Sequence, residues 1–363
     1  MIPQLLAALA GLTTASQEAL EMAPLSREAI QAADAGLAWL ASQQQPNGAW
    51  LADVGYKLEE GYQIWNENSE HVGVTALAGM AFLAGGHVPG RGAYGPVVER
   101  ALDWMVKQVK EDGYITAHES RMYSHAFGTL FLAEAYGLTE REDVRPALQR
   151  AVDLIVASQN LDGGWRYQPH VADADMSVSA CQVMALRAAR NIGIQVPITT
   201  VERAVTYVRN SAVRENDPSA NFHFGSRPGS FRYQPEENSR STFALTAAGI
   251  TILHGAGVYS DADIESGMRR LEEELVNVTR FYGRSSEGHY FFYYGHYYAV
   301  QAFHIAGGER YRHYLDVIQR ELLIMQKPDG SFPNSVGPGP AYGTATACLI
   351  LQMPKEYLPI FQR

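Results

Sequence analysis

The stretch Gln159-Asn160-Leu161-Asp162-Gly163-Gly164-Trp165 decides how this chain is read, because the phrase recurs. Gln44, Asn47, Gly48 and Trp50 form a close copy, and Gln326, Asp329, Gly330, Ser331 and Phe332 form another. Looser copies end at Asp112-Gly113-Tyr114, at Gly229-Ser230-Phe231 and at Glu287-Gly288-His289-Tyr290. The aromatic positions 50, 114, 165, 231, 290 and 332 mark six units, spaced by roughly forty to sixty-five residues. Recurrence of this kind is the signature of a repeat architecture.

Two kinds of helical segment alternate between the phrases. The first is amphipathic. Ile30, Ala33, Leu37 and Leu40 fall at helical spacing, as do Leu148, Ala151, Val152 and Ile155. Ile264, Met268, Leu271 and Leu275 repeat the pattern, and so do Leu315, Ile318, Leu322 and Met325. One apolar stripe opposite charges marks a helix with one wet face. The second kind is rich in Ala, Gly, Ser and Thr and nearly uncharged, over residues 72–85, 124–137, 177–189, 242–255, 295–307 and 343–353. A helix apolar all round is buried on both sides, and small residues let such helices approach closely. Thr199 with Glu202, and Ser260 with Asp263, read as capping boxes. Pro96, Pro146, Pro197 and Pro340 sit near helix starts, and Gly85-Gly86, Gly137 and Gly307-Gly308 near helix ends.

About twelve helices, paired outer with inner six times, can close into a ring. The expected fold is therefore all-α, an α6/α6 toroid with the small-residue helices as inner barrel and the amphipathic ones as outer barrel. The expected organisation is an N-terminal extension over 1–25, the toroid over 26–353 and a C-terminal tail over 354–363. The inner helices all run the same way, so their N-termini and the positive ends of their dipoles gather at one mouth.

The bulk numbers narrow the partners. The chain has 363 residues, is 46% hydrophobic and carries a net charge of −10 without a basic run. That argues against nucleic acid and against an anionic membrane surface. No apolar stretch has the roughly 18 residues of a transmembrane helix. Leu5 to Ala15 is a short apolar run, but no Lys or Arg precedes Arg27, so the charged start of an export signal is missing. Localisation stays open and leans to the cytoplasm. Two cysteines, Cys181 and Cys348, exclude a disulfide scaffold and a cysteine-based zinc cluster. They fall on opposite sides of the expected ring and read as small core residues. No phosphate loop or dinucleotide fingerprint is present, and no cofactor or metal is expected.

The Gln-to-Trp phrase resembles the QW repeat of triterpene cyclases and the related repeats of protein prenyltransferase β subunits, over nearly the whole chain. The chain looks most like free-standing bacterial prenyltransferase/squalene-oxidase repeat proteins. Met122-Tyr123-Ser124-His125, the run from Gly163 to Pro169, Tyr297-Tyr298-Ala299-Val300-Gln301-Ala302 and Tyr357-Leu358-Pro359 support the likeness. The segment Asp173-Ala174-Asp175-Met176-Ser177 resembles the Asp-X-Asp-Asp-Thr acid motif of class II terpene cyclases. Carried over, Asp175 would be the general acid, with Asp173 as the like charge that keeps it protonated. Met176 and Ser177 depart from the motif. The plainer reading of Asp175 is a helix cap. The Asp-X-Cys zinc motif of protein prenyltransferases and the thioester phrase of complement-type toroids are absent.

Two further constellations stand out. Tyr290 to Tyr298 crowds one inner helix with aromatics, with Tyr293 and Tyr297 sharing a face and His296 between them. Such rings stabilise a carbocation, line a pocket, or simply pack. The second is a set of polar residues near the starts of the other inner helices: Glu70 and His71, Tyr123 and His125, Arg240 and Thr242, and Tyr342 and Thr344. Toroid geometry brings them to the same mouth as Asp175, where convergent polar groups make a binding site.

Three functions fit. The first is a terpene-cyclase or prenyltransferase-like toroid with an isoprenoid-type substrate in its central cavity, with Asp175 starting a cyclisation by protonation. The second is a non-catalytic toroid holding a small apolar or amphipathic ligand, a peptide or a glycan. The third is a polysaccharide-active toroid using Glu70, Asp175, His125 and Tyr293. Fold alone does not choose among them, and nothing in the sequence speaks to oligomeric state.

Overall fold

The computed structural model describes residues 25–58, 61–139, 141–218, 220, 226–236, 239–282 and 288–362. Nearly all of the expected N-terminal extension, and Glu287 of the fifth turn, lie outside them.

Among the described residues, six outer helices alternate with six inner ones. The outer set is α1 (Arg27–Gln43), α3 (Gly95–Gln108), α5 (Val144–Ala157), α7 (Ile198–Asn210), α9 (Ala262–Tyr282) and α11 (Gly308–Met325). The inner set is α2 (Val72–Ala84), α4 (Met122–Thr139), α6 (Met176–Asn191), α8 (Phe243–Gly255), α10 (Tyr290–Ala306) and α12 (Pro340–Gln352). Each inner helix packs on the next, and α12 packs back on α2, so the ring closes. Burial follows the two sequence patterns. Every residue of α2 is buried, whereas α3 buries one stripe, including Val98, Ala101, Leu102 and Met105.

The recurring phrase builds the turn from each outer helix into the ring. The glycine has a positive φ in all six copies: Gly48, Gly113, Gly163, Gly229, Gly288 and Gly330. Space enforces the same choice. A Cβ on Gly163 would lie 2.2 Å from the Arg203 carbonyl oxygen of the next outer helix. The glutamine ties three of the turns to that neighbour. Gln159 donates to the carbonyls of Gly163 (2.8 Å) and Thr200 (2.9 Å), Gln44 to Gly48 and Val97, and Gln326 to Gly330 and Ala32. Trp50, Trp165, Phe231 and Phe332 are buried plugs. Their backbone N–H groups donate to Thr75, Ser179, Thr246 and Thr344, one hydroxyl from each following inner helix.

The second unit corrects the expected register. The plug is Ile115, fully buried two residues after Gly113, and not Tyr114. The Ile115 N–H donates to His125 Nδ1 at 3.1 Å, so a histidine stands where the other units use a hydroxyl. Neither expected capping box forms. Pro197 precedes α7 with no side-chain cap, and Asp261 rather than Ser260 accepts the Asp263 N–H.

The fold is not purely helical. An antiparallel hairpin, β1 (Leu51–Leu58) and β2 (Gly61–Glu70), fills the connection between Trp50 and α2. Its register is irregular between Ala52 and Gly55. The signal was a run of β-forming residues, Val54, Tyr56, Tyr62, Ile64 and Trp65, in the long gap between the first plug and its inner helix. The hairpin spans the mouth, with the Asp53 N–H bonded to the Pro338 carbonyl and Asn66 Nδ2 to the His118 carbonyl.

At the far end, residues 354–362 pack into the ring rather than trailing from it. Leu358, Ile360 and Phe361 are buried, and the Ile360 N–H donates to the buried carboxyl of Glu134 on α4 at 3.3 Å. Cys181 and Cys348 are free and buried.

Candidate functional site

The N-terminal turns of all six inner helices surround a cavity of about 220 Å³ beneath the hairpin. The hairpin contributes Tyr56 and Tyr62. The inner helices and the loops before them contribute His71, Tyr123, Tyr167, Tyr233, Tyr290, Tyr294 and Tyr342. Val74, Leu77, Phe127 and Leu245 supply the apolar remainder. Arg121 and Arg240 are the charged groups on the wall, and no carboxylate is among the described lining residues.

Local structure explains these placements. For three of the inner helices the residue four before the plug-holding hydroxyl is the cap; in α12 that position is Pro340 and no side chain caps the helix. His71 Nδ1 accepts the Val74 N–H, Asp175 Oδ1 the Val178 N–H and Thr242 Oγ1 the Leu245 N–H. Arg121 stands at the equivalent place before α4, four residues ahead of His125. Cap positions face the mouth, which brings His71, Arg121 and Thr242 to the wall.

Asp175 lies one layer behind the wall and is fully buried. Its Oδ1 accepts the Ser177 hydroxyl at 2.5 Å and the Val178 N–H at 3.0 Å. Its Oδ2 accepts Arg166 Nη1 at 3.1 Å. Burial raises its pKa, against the lowering effect of these bonds. Ser177 Oγ also lies 2.5 Å from the Tyr123 hydroxyl, so Asp175, Ser177 and Tyr123 form a continuous chain ending at the cavity. The Tyr123 phenol is held neutral, its pKa pushed well up by burial and by Asp175. His71 is likewise neutral, because burial depresses its pKa to about 4.

The sequence-predicted residues divide into three groups. His71, Tyr123, Arg240 and Tyr342 line the cavity. Asp175 sits behind it, and Asp173, largely exposed, pairs with Arg166 Nε at 3.3 Å and with Gln234. The others lie away from the wall. Glu70 accepts Asn47 Nδ2 at the first turn. His125 holds the second plug. Tyr293 donates to the Pro333 carbonyl at 2.6 Å and meets Tyr342 edge-on. His296 sits between Thr279 and Tyr314, and Tyr297 packs on Phe127. The reason is helical periodicity. An inner helix is buried on every side, so only one face of its first turns looks into the cavity. Among the aromatics of α10, that face is Tyr290, Phe291 and Tyr294.

Sequence reasoning missed Arg121, Arg166, Tyr167 and Tyr233 as site residues. They form a ladder of guanidinium groups and rings. Arg121 lies over Trp65 (4.5 Å), Tyr56 (5.2 Å) and Tyr167 (5.8 Å). Arg166 lies over Tyr167 and Tyr233, and Arg240 over Tyr233 at 4.8 Å. The hydroxyls of Tyr167 and Tyr233 are 2.5 Å apart. The signal in the chain was a repeated run directly after a plug aromatic, Arg166-Tyr167 after Trp165 and Arg232-Tyr233 after Phe231. Among the described residues, no three of His, Cys, Asp and Glu converge as a metal site requires, and no helix is long and apolar enough to cross a membrane.

No family model matches the chain, and no curated protein matches it. Solved structures do. The type II terpene cyclase MstE from Scytonema, bound to geranylgeranyl dihydroxybenzoate, superposes with a TM-score of 0.57 at 13% identity, covering 92% of this chain and 98% of that one. An inactive α-1,6-mannanase variant from Salegentibacter, bound to α-1,6-mannotriose, gives 0.61 at 8% identity over 89% and 98%. An α-amylase from Clostridium perfringens gives 0.61 at 10% identity over 91% and 99%. These likenesses show the fold: an α/α toroid of the kind terpene cyclases and certain glycosidases share.

Proposed function

We propose that the cavity binds an isoprenoid-type molecule, as a terpene-cyclase-like toroid, and that Asp175 supplies the proton for a cyclisation. The observation that carries this reading is an aromatic-walled cavity with a buried carboxyl one hydroxyl layer behind it. Aromatic faces suit an apolar chain and a developing carbocation. Burial favours the protonated acid that the chemistry needs. With Asp175 protonated the Ser177 hydroxyl would turn from Asp175 Oδ1 toward Tyr123, so that the Asp175 proton passes to Ser177 Oγ as the Ser177 proton passes to the Tyr123 oxygen and the Tyr123 proton to an alkene carbon. A C–H bond forms from the π pair, and the adjacent carbon becomes cationic. After ring closure a proton on the carbon next to the cation returns to the Tyr123 oxygen as its C–H pair forms the new alkene, and the chain runs back through Ser177 to Asp175, so the reaction is an isomerisation. The repeat phrase supports placing the chain with the QW-repeat proteins, and the MstE structure, with its geranylgeranyl ligand, supports the substrate class.

One observation favours a second reading, a ring that only binds. Asp175 is fully buried, and both its oxygens are already engaged in capping α6 and holding Arg166. A polysaccharide-active toroid has less support, because glycoside hydrolysis commonly needs two carboxyl groups facing the sugar, and none is among the described lining residues.

The test begins with organic extraction of the purified protein and mass spectrometry against a mock purification. Turnover of the recovered isoprenoid, or of a geranylgeranyl probe, is then compared in wild type and Asp175→Asn. Loss of turnover by about a thousandfold or more with binding retained supports the acid role. Binding without turnover in either protein supports the second reading. Absence of any isoprenoid binding removes both.

A further inference from the structure

The two guanidinium groups on the cavity wall lack the carboxylate partners that several other half-buried or buried arginines of this protein have. Arg166 pairs with Asp173 and Asp175, Arg232 with Asp217 and Arg141 with Asp103 and Asp143. Arg121 and Arg240 have no carboxylate partner among the described residues, and both face the cavity. They sit in a chain of net charge −10, so acidic groups were not scarce. Their flat faces are covered by Trp65, Tyr56, Tyr167 and Tyr233, which leaves the N–H edges as the free donors. Stacking of this kind holds a guanidinium in place before any ligand arrives and preserves its fork of donors.

The cavity also has a direction. Arg121 precedes α4 and Arg240 precedes α8, both at the mouth. Leu77 and Phe127 lie more than a turn further along α2 and α4, so the wall becomes apolar inward. An unpaired cation facing a low-dielectric cavity is costly unless an anion joins it.

We infer that the ligand is an anionic amphiphile whose acidic head, a carboxylate or a phosphate, lies against the Tyr167–Tyr233 hydroxyl pair between Arg121 and Arg240. Its apolar body runs inward past Leu77 and Phe127. This deepens the isoprenoid reading and rests on it for the nature of the body, but not for the charge of the head. It also gives Arg166 and its two aspartates a positioning role. They hold Tyr167 and Tyr233 between the two free guanidinium groups without adding net positive charge to the wall.

Binding of matched probes by isothermal titration tests it: farnesol, farnesoic acid and farnesyl phosphate, and dodecanol with dodecanoate as an unbranched pair. At about pH 7.5 the acids are ionised. Wild type is expected to bind an anion at least about tenfold tighter than its alcohol. Arg121→Gln and Arg240→Gln should each erode that preference, and the double variant should abolish it, so that acid and alcohol bind alike. Whichever of carboxylate and phosphate shows the larger preference identifies the head. Equal affinity for acid and alcohol in wild type, or a preference that survives in the double variant, overturns the inference while the isoprenoid reading stands. A charge preference on the unbranched pair without farnesyl binding keeps the inference and removes the isoprenoid body. No binding of any probe removes both. If the double variant does not fold, salt decides. Acid affinity must fall between about 20 and 500 mM salt while alcohol affinity does not, and a flat response rejects the anionic head.

Discussion

The turn glycines show how one residue type is imposed twice over. Gly163 has φ +96°, and its missing Cβ leaves room for the Arg203 carbonyl. Gly193 has φ +80° but nothing within 4 Å of where a Cβ would go. Gly193→Ala should therefore cost about 1 kcal/mol, for backbone strain alone. Gly163→Ala adds a clash with backbone that cannot step aside, and should cost about 3 kcal/mol. Urea denaturation of the two variants measures the difference. Equal losses would mean that the close approach between hairpins contributes nothing. At the same scale, Asp175 serves two ends through one geometry. A cap must point its carboxylate back over the first turn, and here that direction is also toward the hydroxyls of the cavity wall.

At the scale of the element, the β1–β2 hairpin is the part of the fold that the helical pattern did not announce. It hangs between Trp50 and α2 and touches the ring through contacts that include the clamp of Tyr56 and Trp65 on Arg121 and the Tyr62 ring against Tyr290. The ring closes through its inner helices and does not need it. Trimming residues 54–66 to a short Gly-Ser turn should leave the helical circular dichroism intact and open the mouth. Dissociation of a bound farnesyl probe, followed by stopped-flow fluorescence, should then quicken by about tenfold, since lids set release rates in enclosed sites. An unchanged rate would show that ligands pass elsewhere. The two barrels, by contrast, were legible because their patterns differ in kind. Ala29, Ala33, Leu37 and Leu40 make a buried stripe, with Ile30 of the expected stripe left exposed beside it, whereas residues 72–84 make none.

For the whole molecule, buried titratable groups pull stability in two directions. Burial holds His71, His125 and His254 near pKa 4 and His296 near 3, below their ordinary 6.5. As pH falls below 6.5 the unfolded chain takes up protons that the folded ring refuses, so this stability is present above 6.5 and lost toward 4. Glu134 acts oppositely. Burial raises its carboxyl to about 8 from 4.5, so its contribution is present below pH 4.5 and is lost as pH rises to 8. Glu134→Gln keeps an acceptor for the Ile360 N–H and removes the titration. It should gain on wild type by up to ~1.4 kcal/mol per pH unit between those values, then level off, in urea melts across pH. A difference that does not change with pH would place the Glu134 charge in contact with water. Truncation after Glu356 should cost about 5 kcal/mol, because Leu358, Ile360 and Phe361 leave the core together.

The sequence by itself determined the repeat, the two classes of helix and the closure of six hairpins into a ring. Burial, helical period and backbone conformation are local properties, and each leaves its mark on neighbouring residues. It also brought His71, Tyr123, Arg240 and Tyr342 to the mouth, because the starts of parallel inner helices must converge there. Only the tertiary structure decided which side of each inner helix faces the cavity, since a helix buried all round carries no stripe to orient it. That is why Tyr294 reaches the wall while Tyr293, His296 and Tyr297 pack behind it. The same holds for the Arg121–Tyr167–Arg166–Tyr233–Arg240 ladder. Its members come from three connections far apart in the chain, and their stacking arises only from how the closed ring sets those connections side by side.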